Sequence, residues 1–453
     1  MNNKKYFGTD GIRGVANRGC IVPEFILGLG KAAASYFKKG EQHPRFVIGK
    51  DTRLSGYMIE SALMSGICSM GADVYLVGPL PTPAISFLVR SMRADAGIVI
   101  SASHNPYMDN GIKFFGSDGR KLPDEAEAAI EEIMDAGAMS GPEADGIGKA
   151  RRIDDAEGRY IAYTKSTLDG KVDFRGLKIV VDCANGAAYE VAPTVLTELG
   201  AEVTILGGDP DGLNINRDCG STAPQGMVRT VLETGADLGI ALDGDADRAI
   251  LCDEKGALVD GDDILFINSL QMKEAGRLPN STVVGTIMSN VGLQSALRER
   301  GVKLLRADVG DRYVQEEMDR TGSVLGAEPS GHVIFSEHAP TGDGIVTALK
   351  TIETMVKSGS ALSVLTDGWR RFPQIMINLR VKEKVPLEGH AWFEDLLESA
   401  RGDLGEDHIL SLRYSGTEPL LRVTVSSASE VETARVSEHL CGSLVKRFGW
   451  ERI

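Results

Sequence analysis

"LKIVVDCANGAAYEVAPTVLTELGAEVTILG", residues 177–207, runs from an apolar stretch into a polar turn, then through a helix-like segment ending at Gly200, then into a second apolar stretch. Strand, helix, glycine and strand in that order are the grammar of a βαβ unit, the glycine closing the helix. The same order occurs twice more. "RFVIGKDTR" (45–53) precedes "CSMGADVYLVG" (68–78), and "STVVGTIMSN" (281–290) precedes "LRERGVKLL" (297–305). Downstream of each unit a third short apolar run stops at a polar loop: "GIVISASHNP" from 97, "LGIALDGDADR" from 238 and "SVLGAEPSGH" from 323. Three equivalent strands thus deliver three different loops, and in α/β domains ligands gather at the carboxyl ends of strands.

The expected fold is therefore α/β, with three similar mixed-sheet α/β domains over 1–154, 155–255 and 256–367. After about residue 358 the pattern changes. "SGSALSVLTDGW" reads as a linker, and alternating strands such as "LLRVTVS" (420–426) follow, so a C-terminal α+β domain over 368–453 closes the chain. The four domains are expected to surround a central cleft.

At 453 residues the chain is too long for one core. It has no apolar run long enough to cross a membrane, and "MNNKKYFGTDGIRG" has no apolar stretch behind its lysines to serve as a secretion signal. The six cysteines are scattered without a C-x-x-C pair, which implies neither a disulfide framework nor a zinc site. A cytoplasmic location is the expectation. A formal charge of -15 argues against nucleic acid or an anionic membrane surface as partner, since both demand a positive face. An anionic ligand would need locally concentrated cations.

"DGDADR" (243–248) places Asp243, Asp245 and Asp247 at alternate positions after an apolar strand, with Gly244 and Ala246 too small to crowd a bound ion. Three convergent carboxylates suit a hard cation such as Mg²⁺; without one they repel each other. A calcium EF-hand is excluded because Arg248 stands where that loop requires glycine. "RYSGTEP" (413–419) combines Arg413, Ser415, Gly416 and Thr417 with Arg422 nearby, which suits an anion nest for phosphate, although a hairpin loop reads the same way. "GAEPSGH" offers Glu328, Ser330 and His332 for sugar hydroxyls and proton movement, although a turn with a surface histidine is the plainer reading. Arg13, Lys50 and Arg53 sit in Gly-rich loops that could equally be charged turns. "GLGKAA" (28–33) follows a helix start at "PEFIL", so it lacks the strand of a dinucleotide site, and "SASHN" is not a G-x-S-x-G elbow.

Together, "FGTDGIRG", "SASHNPYMDNGIKF", "DGDADR", "EPSGH" and "RYSGTEP" resemble, in that order, the α-D-phosphohexomutase superfamily. "GTDGIRGVAN", "VDCANGAAY", "NINRDCGST" and "VGDRYV" are similar to its glucosamine phosphate branch. The resemblance implies interconversion of glucosamine 6-phosphate and glucosamine 1-phosphate in the cytoplasm, through a phosphoserine enzyme and a 1,6-bisphosphate, supplying UDP-N-acetylglucosamine synthesis. It implies one Mg²⁺, a bisphosphate such as glucosamine 1,6-bisphosphate as activator, a hexosamine phosphate as substrate, and a homodimer as candidate assembly.

By the same resemblance Ser103 is the phosphorylated serine and, with Asp243, Asp245 and Asp247, a metal ligand. Lys113 and His332 are implied for proton transfer, and Arg13 and Arg248 for lining the transferring phosphoryl group. Glu328 and Ser330 are implied for the sugar, and Arg413, Ser415, Gly416, Thr417 and Arg422 for the phosphate that is not being transferred. Ser101 is left as strand-end structure. Pro329 departs from the Gln common in this branch, which bears on the shape of the sugar loop, and Tyr414 replaces the commoner Pro or Lys. Glucose or mannose phosphate mutase is the alternative within the superfamily. A phosphatase and a silent sugar-phosphate binding protein are the alternatives outside it.

Overall fold

A computed structural model describes residues 4–38, 43–137, 139–170, 172–387, 389–415 and 419–453. The chain divides into two compact units, Met1–Ile287 with Leu305–Thr366, and Met288–Leu304 with Asp367–Ile453.

In the larger unit the chain first forms β1 (Ile12–Val15), α1 (Pro23–Phe37), β2 (Arg45–Lys50), α2 (Ser55–Ser69) and β3 (Asp73–Pro79). It continues through α3 (Thr82–Ser91), β4 (Ala96–Ile100), β5 (Asp109–Gly116), α4 (Asp124–Ala136) and β6 (Ala150–Arg152). The second set is α5 (Ala156–Ser166), β7 (Lys178–Asp182), α6 (Val191–Glu198), β8 (Glu202–Leu206), α7 (Gln225–Thr234), β9 (Leu238–Leu242), β10 (Ala249–Asp253) and β11 (Leu258–Val259). The third is α8 (Gly261–Glu274), β12 (Thr282–Thr286), α9 (Val291–Glu299), β13 (Lys303–Ala307), α10 (Asp311–Thr321), β14 (Leu325–Ala327), β15 (Val333–Phe335), α11 (Gly344–Ser358) and α12 (Leu362–Thr366). Of these, α9 belongs with the smaller unit.

The repeat in the sequence is a repeat of sheet order. The three sheets contain β3-β2-β4-β5, β8-β7-β9-β10 and β13-β12-β14-β15, with β1 and β6 added to the first and β11 to the second. In each, the last strand of the set returns antiparallel beside the one before it. The polar loops named above are therefore hairpin connections at the carboxyl ends of buried strands. The glycines placed at the helix ends, Gly71, Gly200 and Gly301, all have positive φ. β4 and β9, each between one parallel and one antiparallel neighbour, are buried along their whole length, as continuous apolar runs inside a sheet should be. The core of the first sheet joins Phe46, Ile48, Ile98 and Ile100 to Leu29 of α1 and Leu63 of α2.

The smaller unit carries β16 (Gln374–Arg380), α13 (Ala391–Leu404), β17 (His408–Tyr414), β18 (Leu420–Ser427), α14 (Glu430–Phe448) and β19 (Glu451–Arg452). Its antiparallel sheet, β17-β18-β16-β19, buries Leu379, Val423 and Val425 with Leu440 and Leu444 of α14. The segment read as a linker contains α12. "GLGKAA" lies inside α1, which excludes the dinucleotide reading. All six cysteines are unpaired, and among the described residues no helix is long and apolar enough to cross a membrane.

Candidate functional site

The loop after β4 enters a conformation that few residues tolerate. Ser103 has φ 52, in the left-handed region, and is buried. A non-glycine residue there persists only where its surroundings over-determine it. Its carbonyl accepts from Arg53 Nη2 and from Asn216 Nδ2, each at 2.9 Å, and the same two side chains reach the Asn105 carbonyl at 2.7 and 3.0 Å. Its N–H donates to Ser101 Oγ at 2.9 Å, and Ser101 in turn donates to Asp51 Oδ2 at 2.5 Å. Asp51 pairs with the fully buried Arg53 at 3.1 Å.

Ser101 is thus more than strand-end structure: it holds the backbone of Ser103 and a buried carboxylate. Ser101→Ala is expected to cost about 1–3 kcal/mol of stability, because it leaves the buried Ser103 N–H unpaired and takes one hydrogen bond from the Asp51 carboxylate, which keeps Arg53. It leaves the Ser103 hydroxyl intact. A denaturation midpoint unchanged from the parent chain would contradict this role.

The Ser103 hydroxyl donates to Asp243 Oδ2 at 2.6 Å. One carboxylate oxygen from each of Asp243, Asp245 and Asp247 lies within 4.8 Å of the others, and all three residues are buried. Oδ1 of Asp245 and Oδ1 of Asp247 have no hydrogen-bond partner. Burial first, then the charges of Asp247 and Asp245, push the Asp243 carboxyl well above its usual range. Orphaned oxygens and mutual repulsion in one buried cluster fit a hard cation held by carboxylates. Gly244 answers a steric demand different from room for the ion: a Cβ there would lie 2.6 Å from the Ser103 carbonyl.

Two basic groups flank Asp247. Lys113 Nζ, on β5, lies 3.0 Å from Asp245 Oδ2 and 3.8 Å from Asp247 Oδ2. Burial alone would depress this lysine, but Asp10, Asp245 and Asp247 outweigh it and raise its pKa. His332 Nδ1 lies 3.7 Å from Asp247 Oδ2, and its Nε2 accepts the Gly342 N–H at 3.1 Å. In the neutral ring that bond leaves the proton on Nδ1, facing Asp247. A Cβ on Gly342 would come within 2.5 Å of the imidazole, so only glycine lets this amide approach. Burial opposes the charged ring, yet Asp247, Asp311 and Glu328 raise its pKa.

Backbone bonds between the loops hold these groups together. Thr82 at the start of α3 donates its N–H to the Asp245 carbonyl at 2.9 Å and its hydroxyl to the Asp245 carboxylate at 2.7 Å. Ala249 N–H donates to Gly331 O at 3.0 Å, and Gly344 N–H to Ala246 O at 2.9 Å. The structure therefore brings Ser103, Lys113, the three aspartates, Arg248 and His332 into one site. Arg248 Nη1 lies 3.2 Å from His104 Nδ1, which occupies the histidine nitrogen nearest Ser103 and leaves Asp243 as the partner of the hydroxyl. Arg13 is paired with Asp10.

Glu328 accepts the Gly310 N–H at 3.0 Å, tying the sugar-type loop to the start of α10. The turn there closes through Gly331 N–H to Glu328 O at 3.0 Å. Pro329 occupies the second position of that turn, where its fixed φ is favourable, and Ser330 is exposed. The departure at 329 therefore fits the loop.

In the smaller unit Arg413 and Arg422 stand opposite each other on neighbouring strands, both exposed. Tyr414 donates its hydroxyl to Val385 O at 2.7 Å, and Lys384 reaches the Ser415 carbonyl at 2.6 Å. Gly416 and Thr417 lie outside the described residues.

The chain matches all four profiles of one family: phosphoglucomutase/phosphomannomutase, alpha/beta/alpha domain I over 4–140, domain II over 159–256, domain III over 260–372, and the C-terminal domain over 376–442. The chain belongs to the phosphoglucomutase/phosphomannomutase family. Among its relatives, the phosphoglucosamine mutases of Syntrophotalea carbinolica and Geobacter sp. are each 51% identical to it, over 98% and 99% of both chains respectively. That of Methylococcus capsulatus is 50% identical over 98% of this chain and 99% of its own. A solved family structure from Burkholderia thailandensis superposes with a TM-score of 0.80, at 25% identity over 98% of both chains. The N-acetylphosphoglucosamine mutase of Aspergillus fumigatus shares the fold at a TM-score of 0.64 and 17% identity, over 97% of this chain and 96% of its own.

Sequence reasoning passed over several residues of this family member's site. Arg53 was legible only as a charge in a Gly-rich turn; Asp10, Asn216 and Asp311 lie in the quoted motifs "FGTDGIRG", "NINRDCGST" and "VGDRYV" but had no role there, and nothing local gave one to Asp51 or Thr82. Their partners lie on segments far away in sequence.

Proposed function

We propose that this chain interconverts glucosamine 6-phosphate and glucosamine 1-phosphate through phospho-Ser103 and glucosamine 1,6-bisphosphate. The observation that carries the reading is the Ser103 hydroxyl held against Asp243 beside Lys113 and His332, in a chain half identical to named phosphoglucosamine mutases. In the forward half-reaction a substrate hydroxyl attacks the phosphoserine. The P–O bond to Ser103 breaks, a P–O bond to the sugar forms, and on balance one proton passes from the sugar hydroxyl to the Ser103 oxygen. In the second half-reaction the other phosphate returns to Ser103.

Transfer of this kind needs in-line positioning and charge neutralisation more than covalent chemistry from the protein. Asp243, Asp245, Asp247 and the serine phosphate would hold one Mg²⁺, which supplies part of that neutralisation when bound. Lys113 and His332 are the groups placed to move the hydroxyl proton. Arg13 and Arg248 would line the transferring phosphoryl group, and Glu328 and Ser330 would take sugar hydroxyls. Arg413, Ser415, Gly416, Thr417 and Arg422 grip the phosphate that is not reacting. A bisphosphate activator restores any enzyme that has lost its serine phosphate. The cytoplasm, where thiols stay reduced, is the proposed location.

The deciding experiment is a coupled mutase assay on glucosamine, glucose and mannose 6-phosphates with Mg²⁺ and bisphosphate present. Glucosamine phosphate is expected to turn over fastest. Equal or faster turnover of mannose or glucose phosphate overturns the substrate assignment, and stoichiometric release of inorganic phosphate would mean a phosphatase. Because the idle phosphate must be held in either orientation, Arg413→Ala is expected to slow the two directions alike. Loss in one direction only counts against that grip.

A further inference from the structure

The two groups placed for proton transfer are backed by a chain of opposite charges. Behind Lys113, Asp10 Oδ2 lies 3.3 Å from its Nζ. Behind His332, Asp311 Oδ2 lies 3.7 Å from its Nε2. One side chain joins these two carboxylates: Lys121 Nζ lies 2.5 Å from Asp10 Oδ1 and is also ion-paired with Asp311 Oδ2. With Asp247 between Lys113 and His332, the contacts close into a ring in which carboxylates alternate with basic side chains, drawn from segments beside all three sheets of the larger unit.

We propose that Lys121 is a positioning residue for this reaction, setting Lys113 and His332 at their working distance by clamping Asp10 to Asp311. The inference rests on the mutase reading above. Lys121 sits just past β5, bridged to Phe115, so its backbone is anchored on the same hairpin as Lys113. Both carboxylates lie within hydrogen-bond reach of one ammonium and are therefore close to each other. Without the ammonium, two like charges in a largely buried place repel. Asp10 can retreat only by releasing Lys113 and Arg13, and Asp311 only by releasing His332. Burial would depress Lys121, but Asp311 and Asp10 outweigh it and raise its pKa, which keeps the clamp charged.

A cavity of about 150 Å³, lined by Lys121, Asp311, His332, Arg312 and Thr341 among others, adjoins the clamp. It supplies a direct test, because Lys121→Ala opens into space that a small amine can enter. The set is Lys121→Met, Lys121→Arg and Lys121→Ala, the last with and without ethylammonium chloride against sodium chloride at equal ionic strength. Each is measured for kcat and KM on glucosamine phosphates and for the ¹⁵N resonances of the histidine rings.

Lys121→Met is expected to lower kcat by about tenfold or more with KM little changed, since positioning errors act on the reacting groups. Lys121→Arg and ethylammonium should each restore much of the loss. The His332 ring resonances should move in the Met variant while those of the other histidines hold still. A Met variant with parent kcat, or a loss that Arg and ethylammonium both fail to repair, overturns the proposal, as does an unmoved His332. Should the parent chain show no mutase turnover while the His332 signal still follows Lys121, the mutase reading fails and the clamp stands.

Discussion

Ser103→Ala is expected to fold, to carry no phosphate after incubation with bisphosphate, and to turn over glucosamine phosphates at least about 10³-fold more slowly than the parent chain. The expectation of a folded protein comes from the contacts that hold the loop. Arg53, Asn216 and Ser101 all grip main-chain atoms of the serine, and alanine keeps those atoms. The left-handed φ is paid for by that network in either residue. What the substitution removes is one oxygen and its hydrogen bond to Asp243.

The loss should be large because the oxygen is the phosphate carrier, for which no neighbour substitutes. Ser101 Oγ is turned away toward Asp51, and the histidine beside Ser103 is occupied by Arg248. Intact mass reports the phosphate, a coupled assay reports turnover, and circular dichroism reports the fold. A variant that retains a tenth of parent activity would mean that the phosphoryl group passes through another residue.

Why the loops could be found in the sequence, and their supports could not, is a matter of range. A helix end at glycine, an apolar strand and a polar turn are local events, so the three βαβ units could be read from segments of about ten residues. The aspartates of "DGDADR" are likewise neighbours in sequence and carry their meaning together. Thr82 holds Asp245 across 163 positions, and Asn216 holds Ser103 across 113. No short pattern announces such pairs, since a buried threonine or asparagine has the same sequence signature as an exposed one. Arg53 shows the same limit from the other side. Its charge suggests the surface, and only the folded chain shows it at zero exposure with three acceptors around it. The mixed character of the sheets was legible, and the structure assigns the antiparallel return in each to β5, β10 and β15.

Asp245→Asn tests the cation assignment with little change of shape. One carboxylate oxygen of Asp245 accepts from Thr82 and lies 3.0 Å from Lys113, while the other has no partner. An asparagine can keep its oxygen toward Thr82 and Lys113 and turn its amide toward the orphaned position. The substitution therefore removes a charge from the cluster while leaving its main hydrogen bonds. Mg²⁺ is expected to raise the thermal midpoint of the parent chain, because an ion that binds only the folded state stabilises it, by about 2.7 kcal/mol at 100 times its Kd.

In the variant the midpoint should rise little at the same Mg²⁺ concentration, and turnover at saturating substrate should fall about 10²-fold or more as charge neutralisation is lost. The thermal measurement needs no substrate, so it separates loss of the cation from disturbance of Lys113, which also touches Asp245. If the midpoint of the variant follows Mg²⁺ as the parent does, the aspartate triplet does not hold the cation. If the parent chain keeps full turnover in excess chelator, no cation is needed at all.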